Sequence, residues 1–198
     1  MVDLFCHVVV RAAPDHSVPD AVEALRDHGV WLALWGGPGI GFASDEIPAV
    51  LTAAPPSSDG LTPSEAQFTQ CEQLEATVRP TSSQPLQLDS GIVALRWFEV
   101  NTIDWEEFLD LSASAWPDFE ASYDSRILGL FRSRDAEVNR ARALLATHYA
   151  SLSEWERSRQ AITARDGAGA IAGQRFRRRQ HLTRWTLVRV GLPISPLT

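Results

Sequence analysis

The sequence predicts an α+β fold made of two tandem ferredoxin-like repeats, each with the element order β-α-β-β-α-β. Three observations predict it. The hydrophobic period switches between two and about 3.6 in the same succession twice along the chain. Capping-type patterns precede helical stretches. A Pro- and Ser-rich stretch, RPTSSQPLQLDS at residues 79–90, divides the chain near its middle. With 198 residues, 44% of them hydrophobic, there is enough apolar surface for both units.

The first repeat is assigned to residues 1–80. Leu4 to Arg11 alternates as a strand, and Val18, Val22 and Leu25 give Val18 to Arg26 a helical face. Trp31 to Trp35 resumes strand character, and the turn WGGPGIGF leads to a strand over Ile47 to Ala53. Thr62-Pro63-Ser64-Glu65 has the form of a capping box with proline at the first helical position, predicting a helix to about Leu74 that carries Cys71. Glu75 to Arg79 reads as a short last strand. Residues 81–90 are a linker, 91–192 the second repeat and 193–198 a tail. In the second repeat Ile92 to Val100 is a strand. Asp104-Trp105-Glu106-Glu107 opens a helix with Trp105, Phe108, Leu109, Ser112 and Trp116 on one face. Ile127 to Arg132 and Ala143 to Tyr149 are strands, Ser153-Glu154-Trp155-Glu156 opens the second helix, and Leu182 to Val190 closes the unit. The run Arg175-Phe-Arg-Arg-Arg179 reads as a solvated segment ahead of that last strand.

Composition excludes several chemistries. All 18 basic residues are arginine, so there is no lysine for a Schiff base, a pyridoxal phosphate anchor or a P-loop. Three arginines and twelve acids precede residue 91, and fifteen arginines and thirteen acids follow it. The net charge of −7 disfavours nucleic acid as a partner. Gly37-Pro-Gly39-Ile-Gly41 breaks the G-x-G-x-x-G pattern, and neither G-x-S-x-G nor H-E-x-x-H occurs. The histidines at 7, 16, 28, 148 and 181 are too far apart to share a helix face, and Cys6 and Cys71 lack C-x-x-C spacing. No metal site is therefore predicted, and both thiols are read as buried. No segment reaches the ~20 apolar residues of a membrane span. The opening residues lack signal-peptide features, so the expected location is cytoplasmic.

The candidate site residues come from strand alternation. In VALRWFEV, residues 93–100, Val93, Leu95 and Trp97 share a packing face while Ala94, Arg96 and Phe98 share the other. A guanidinium at such a position must pair with a carboxylate, reach water in a cavity or meet a ligand anion. Arg96 is therefore the first candidate, with Phe98 beside it. His7, on a strand face with Phe5 and Val9, and His148 are candidate acids or bases. Two registers stay open for the later strand: His148 joins Arg96 if Leu144 and Ala146 face the cavity, and Tyr149 does if Leu145 and Thr147 face it. Trp97, Trp105 and Trp116 read as core. Trp31, Trp35 and Trp185 are undetermined, and Trp35 and Trp185 are carried as candidate ligand contacts.

The segments VALRWFEVNTIDWEEFLDL, SRILGLFRS and LLATHYASLSEWERSR resemble a NIPSNAP domain of the dimeric α+β barrel superfamily, over roughly residues 91–190. Leu95-Arg96, Leu128-Gly129, and Tyr149 followed by Ser151-Leu152 and Glu156-Arg157 carry the resemblance. Ala94 departs from it, standing where the family's first strand has an acid. The resemblance implies two four-stranded sheets facing each other as an α+β barrel, helices outside and a cavity within, closed inside one chain or between two as a homodimer. It implies a small apolar or aromatic ligand. Its activity would be that of a cofactor-independent oxygenase or isomerase of specialised metabolism, or non-catalytic binding or scaffolding. No tightly bound haem, flavin or metal is expected, although His7, His148 or His181 would be the axial ligand if haem were held.

Overall fold

The computed structural model describes residues 4–12, 18–23, 25, 28–52, 66–135, 137–163 and 170–194. The first half contributes β1 (Leu4–Ala12), α1 (Val18–Glu23), β2 (Val30–Ile40), β3 (Glu46–Leu51) and β4 (Ala66–Ala76). The second contributes β5 (Ile92–Asn101), α2 (Trp105–Ser122), β6 (Ser125–Ser133), β7 (Arg140–Tyr149), α3 (Leu152–Thr163), α4 (Ala170–Leu182) and β8 (Thr183–Pro193). The eight strands form one closed antiparallel barrel in the order β1-β3-β2-β8-β5-β7-β6-β4. Numbered within each half, both sheets have the order 4-1-3-2, the ferredoxin-like arrangement. β2 meets β8 at one seam, and β4 meets β6 at the other through Leu74↔Ser133, Glu75↔Arg132 and Ala76↔Phe131.

Alternation along each strand divides its side chains between lumen and outer face. Phe5, Leu34, Val50, Leu74, Val93, Leu95, Trp97, Phe131 and Leu144 fill the lumen as one cluster. Its aromatic centre joins the halves: Phe5 lies edge-on to Trp31 at 5.7 Å and to Phe131 at 5.1 Å, and Trp31 is 5.4 Å from Phe131. Outside, α1 covers Cys6, Val8, Val10, Ile47 and Ala49. α2 and α4 cover the second sheet, burying Trp105, Phe108, Ala115, Trp116 and Phe119 at helical spacing against Ala94, Phe98 and Val100.

Four sequence expectations are corrected. The predicted helix through about Leu74 is strand β4, which also absorbs the start of the short strand expected at Glu75; the proposed cap, residues 62–65, lies outside the described residues. β1 needs a partner on its second edge, and pairing from Leu4↔Glu75 to Ala12↔Ala66 overrides the local helical signal. Cys71 is consequently on a strand and exposed, with its Sγ 3.2 Å from that of buried Cys6. Asp104 does not cap α2: it accepts a hydrogen bond from the Asn101 amide at 2.8 Å, and Glu107 is drawn to Arg178 of α4 at 2.6 Å. α3 starts earlier than Ser153 implied, because the Ser151 hydroxyl accepts the Glu154 N–H at 3.2 Å and the helix begins at Leu152.

The basic run 175–179 is also relocated. It lies within α4, where Arg175 binds the Ser114 carbonyl and Asp118, Arg178 binds Glu107, and Arg179 is buried. The linker is not a loose tether. The Leu86 N–H donates to the Trp31 carbonyl at 2.8 Å, and Leu88 is buried in the lumen cluster. At its start, Arg79 grips Glu120 of α2 through both nitrogens (2.6 and 3.3 Å), while Glu120 also accepts the Ile127 N–H at 2.7 Å. Glu120→Ala should cost about 1–2 kcal/mol, more than an exposed ion pair, because a backbone donor loses its acceptor. Urea unfolding would measure it, and a change below about 0.3 kcal/mol would count against this role.

Candidate functional site

β5 sends Arg96 away from the lumen and under the helices, while Trp97 points inward, so the face read as packing is the lumen face. Across the ladder, Arg96 pairs with Leu145, Ala94 with Thr147 and Ile92 with Tyr149. The open choice of register is thereby settled: Leu145, Thr147 and Tyr149 share the face of Arg96. α3 adds Trp155, Ser158 and Arg159 at i, i+3 and i+4, and α4 adds Phe176 and Arg179 at i and i+3. These side chains, with Trp116 and Phe119 of α2, enclose a cavity of about 40 Å³. That holds a few waters or the head of a ligand.

The cavity is cationic, with no compensating acid in its described lining. Arg96 makes no ion pair or hydrogen bond among the described residues; its guanidinium lies 5.9 Å from the Phe98 ring centroid. Burial, then repulsion from Arg159, lowers it to about 10. Arg179, 9% exposed, donates to the Ser112 hydroxyl at 3.2 Å and stacks on Phe176 and Phe98 at 4.7 and 4.8 Å. Burial, then Arg96 and Arg159, lowers it to about 9. Burial likewise lowers Arg159, whose side reaches solvent. All three remain cations at neutral pH. Tyr149 is pushed up by burial, against the opposing pull of Ser158 and the three guanidiniums, and stays protonated. Ser158 donates to the Trp155 carbonyl at 2.7 Å. Among the described lining there is no carboxylate and no imidazole. The arrangement can hold an oxyanion and offer it the tyrosine proton, but its described lining supplies no carboxylate or imidazole base.

The other candidates are elsewhere. His7 faces the lumen, directly opposite Glu72 on β4 and edge-on to Trp97 at 5.5 Å. Its Nδ1 has no hydrogen-bond partner among the described residues, and burial, reinforced by Arg189 and Arg142, depresses the imidazole pKa to about 3. Glu72 is also buried and raised by burial; Arg142 lies 3.0 Å away, close enough for attraction but outside hydrogen-bond alignment. His148 sits level with Val93, four residues along β5 from Trp97, with Nε2 2.9 Å from the Ser90 carbonyl. Arg96, His7 and His148 are thus not brought together. Phe98 forms the wall beneath Arg179, against Phe108 at 5.2 Å. Trp35 and Trp185 are exposed, Trp185 beside Glu99, Arg140 and Arg142 in a surface groove.

Sequence reasoning missed Arg159, Arg179 and Ser158. The signal for Arg179 was present, since Phe176, Arg179 and Leu182 recur at helical spacing, but the density of charge in 175–179 masked it. A larger, apolar cavity of about 250 Å³ on the first half is lined by Val22, Val30, Trp31, Ala33, Leu88 and Ile194 among others, with no titratable side chain in its described lining. Among the described residues no cluster of three metal-ligating side chains occurs, and no helix is long and apolar enough to cross a membrane.

No protein-family model matches the sequence, and no curated protein matches it. Solved structures do. A Lactobacillus acidophilus NCFM protein provisionally assigned as a monooxygenase aligns over 98% of this chain and 99% of its own, with TM-score 0.55 and 11% identity. An anthrone oxidase-like protein aligns over 97% and 92%, with TM-score 0.56 and 8% identity. A NIPSNAP family protein of Agrobacterium tumefaciens covers 57% of this chain and 93% of its own, at 19% identity and TM-score 0.42. The chain has the fold that the full-length matches share: an α+β barrel of two ferredoxin-like sheets.

Proposed function

We propose that the chain is a small-molecule cavity protein acting on an apolar or aromatic metabolite, in the manner of a cofactor-independent oxygenase or isomerase of specialised metabolism. The observation that carries this reading is the convergence of Arg96, Arg159 and Arg179 on Tyr149 in a semi-enclosed cavity with no counter-charge among the described residues that line it. Such a site stabilises an enolate or phenolate as charge develops on its oxygen, which is the demand common to both reaction classes. Anthrone-like phenolic ketones, named for one structural neighbour, supply the first test panel. Oxygen uptake and product formation should be measured with and without the protein. With an active substrate, Arg96→Met should lower kcat/KM by about 100-fold or more, with little change in unfolding temperature. Tyr149→Phe should lower kcat more than KM. A variant that keeps full turnover would remove the site from the mechanism.

A second reading, non-catalytic ligand binding, is favoured by the small volume and the lack of a base in the described lining. Saturable binding across the panel with no turnover would select it.

A further inference from the structure

The occupant of the cavity can be narrowed by charge, on the reading that this cavity is the working site. Three guanidiniums share a space of about 40 Å³, and the described residues around it include no acid to neutralise them. A buried cation without a counter-charge is strongly unfavourable; Arg179 is buried, Arg96 is half-buried, and Arg159, toward solvent, adds a third positive charge to the same space. Surface residues show what this chain does with arginine when pairing is wanted: Arg79, Arg157 and Arg178 each hold a carboxylate at 2.6 Å. Among the described residues Arg96, Arg159 and Arg179 are left without one, and they are the arginines that face the cavity.

Their surroundings specify the shape of the missing partner. Arg179 is held between Phe98 and Phe176 and anchored at one nitrogen by Ser112, so its orientation is set and its other N–H groups remain for a ligand. A neutral carbonyl would accept hydrogen bonds but leave the charge uncompensated. A guanidinium fork matches a planar oxyanion with two coplanar oxygens. The remaining wall is largely apolar, with Trp116, Phe119, Trp155 and Phe176 supplying rings beside Ile127 and Leu145, and Trp155 and Arg159 lie toward solvent. An apolar body attached to the anion has room only on that side.

We propose that the cavity binds an organic carboxylate, with its head between Arg96 and Arg179 and an apolar, ring-bearing body directed toward Trp155 and Arg159. The probes are benzoate, its neutral counterpart benzamide, and inorganic phosphate, titrated against the full chain at fixed ionic strength by calorimetry and by thermal unfolding. Benzoate should bind saturably and raise the unfolding temperature, benzamide should not, and phosphate should bind more weakly. Arg96→Met and Arg179→Met should each weaken benzoate binding at least tenfold. Without ligand, neither should unfold at lower temperature than the parent, because a repelled cation has been removed. Arg159→Met, at the open side, carries the same affinity test if a buried variant does not fold. Arg184→Met, a surface residue beside Glu99, should bind benzoate normally. Equal binding of benzamide, phosphate binding without benzoate binding, or unchanged benzoate affinity in the arginine variants would overturn the proposal. These titrations read binding alone, so their failure would leave turnover of phenolic ketones to be judged separately.

Discussion

Phe131→Ala is expected to destabilise the protein by about 3–5 kcal/mol, the range for truncating a large side chain in a close-packed core. Phe131 has no solvent exposure and touches Phe5 and Trp31 of the other half edge-on. The pocket left behind cannot close easily. The backbone beneath the ring is already tight, since a Cβ on Gly129 would lie 2.8 Å from Phe131 ring atoms. The residue also sits on the β4–β6 seam, opposite Ala76, so its loss weakens the contact between halves as well as the core. Urea unfolding monitored by tryptophan fluorescence would measure the loss. Val138→Ala, at a site 88% exposed, should stay within about 0.5 kcal/mol. A Phe131→Ala loss below 1 kcal/mol would mean that the lumen is not a packed core.

Acid should destabilise the protein through His7. Its folded pKa, about 3, lies below the ordinary value of 6.5, so the unfolded chain takes up the proton first as pH falls. Stability from this residue is complete above pH 6.5 and declines by about 1.4 kcal/mol per pH unit below it. The decline ends near pH 3, after a total of about 4–5 kcal/mol. The physical cause is burial against Trp97, with the positive charges of Arg189 and Arg142 adding to it. Glu72, the facing residue on β4, is displaced upward by burial, so its effect above pH 4.5 has the opposite sign. Comparison with His7→Gln separates the two, because glutamine cannot take up the proton. Unfolding free energy against pH should be flatter for the variant between pH 6.5 and 4.5. Parallel curves would show that His7 does not titrate in this range.

The second half was legible because its elements carry redundant signals. β5 alternates without interruption, and Trp105, Phe108, Ser112 and Trp116 mark α2 at helical spacing. β4 was illegible for a reason outside its own residues: AQFTQCEQLEA is amphipathic at either period, and the decisive fact was the empty edge of β1. Arg96 was legible as an exception, a charge amid apolar neighbours. Its neighbours were not, because Arg159 and Arg179 come from two helices whose packing over the second sheet is a long-range result. His7 illustrates the converse. Its buried face was readable from alternation with Phe5, but the side chains that crowd the lumen around it come from both halves of the chain, Glu72 from β4 and Trp97 from β5.

The recurrence of the 4-1-3-2 order around one closed barrel has a bearing on how the molecule could change over time. Where a barrel assembles from two identical chains, each substitution appears twice, and each site is duplicated. Here the leaves are covalently joined, so each can drift alone and assembly carries no dependence on protein concentration. Among the described residues the second leaf has three helices and the arginine cavity, and the first has a six-residue helix and an apolar hollow. One leaf can thus be conservative scaffolding while the other explores chemistry.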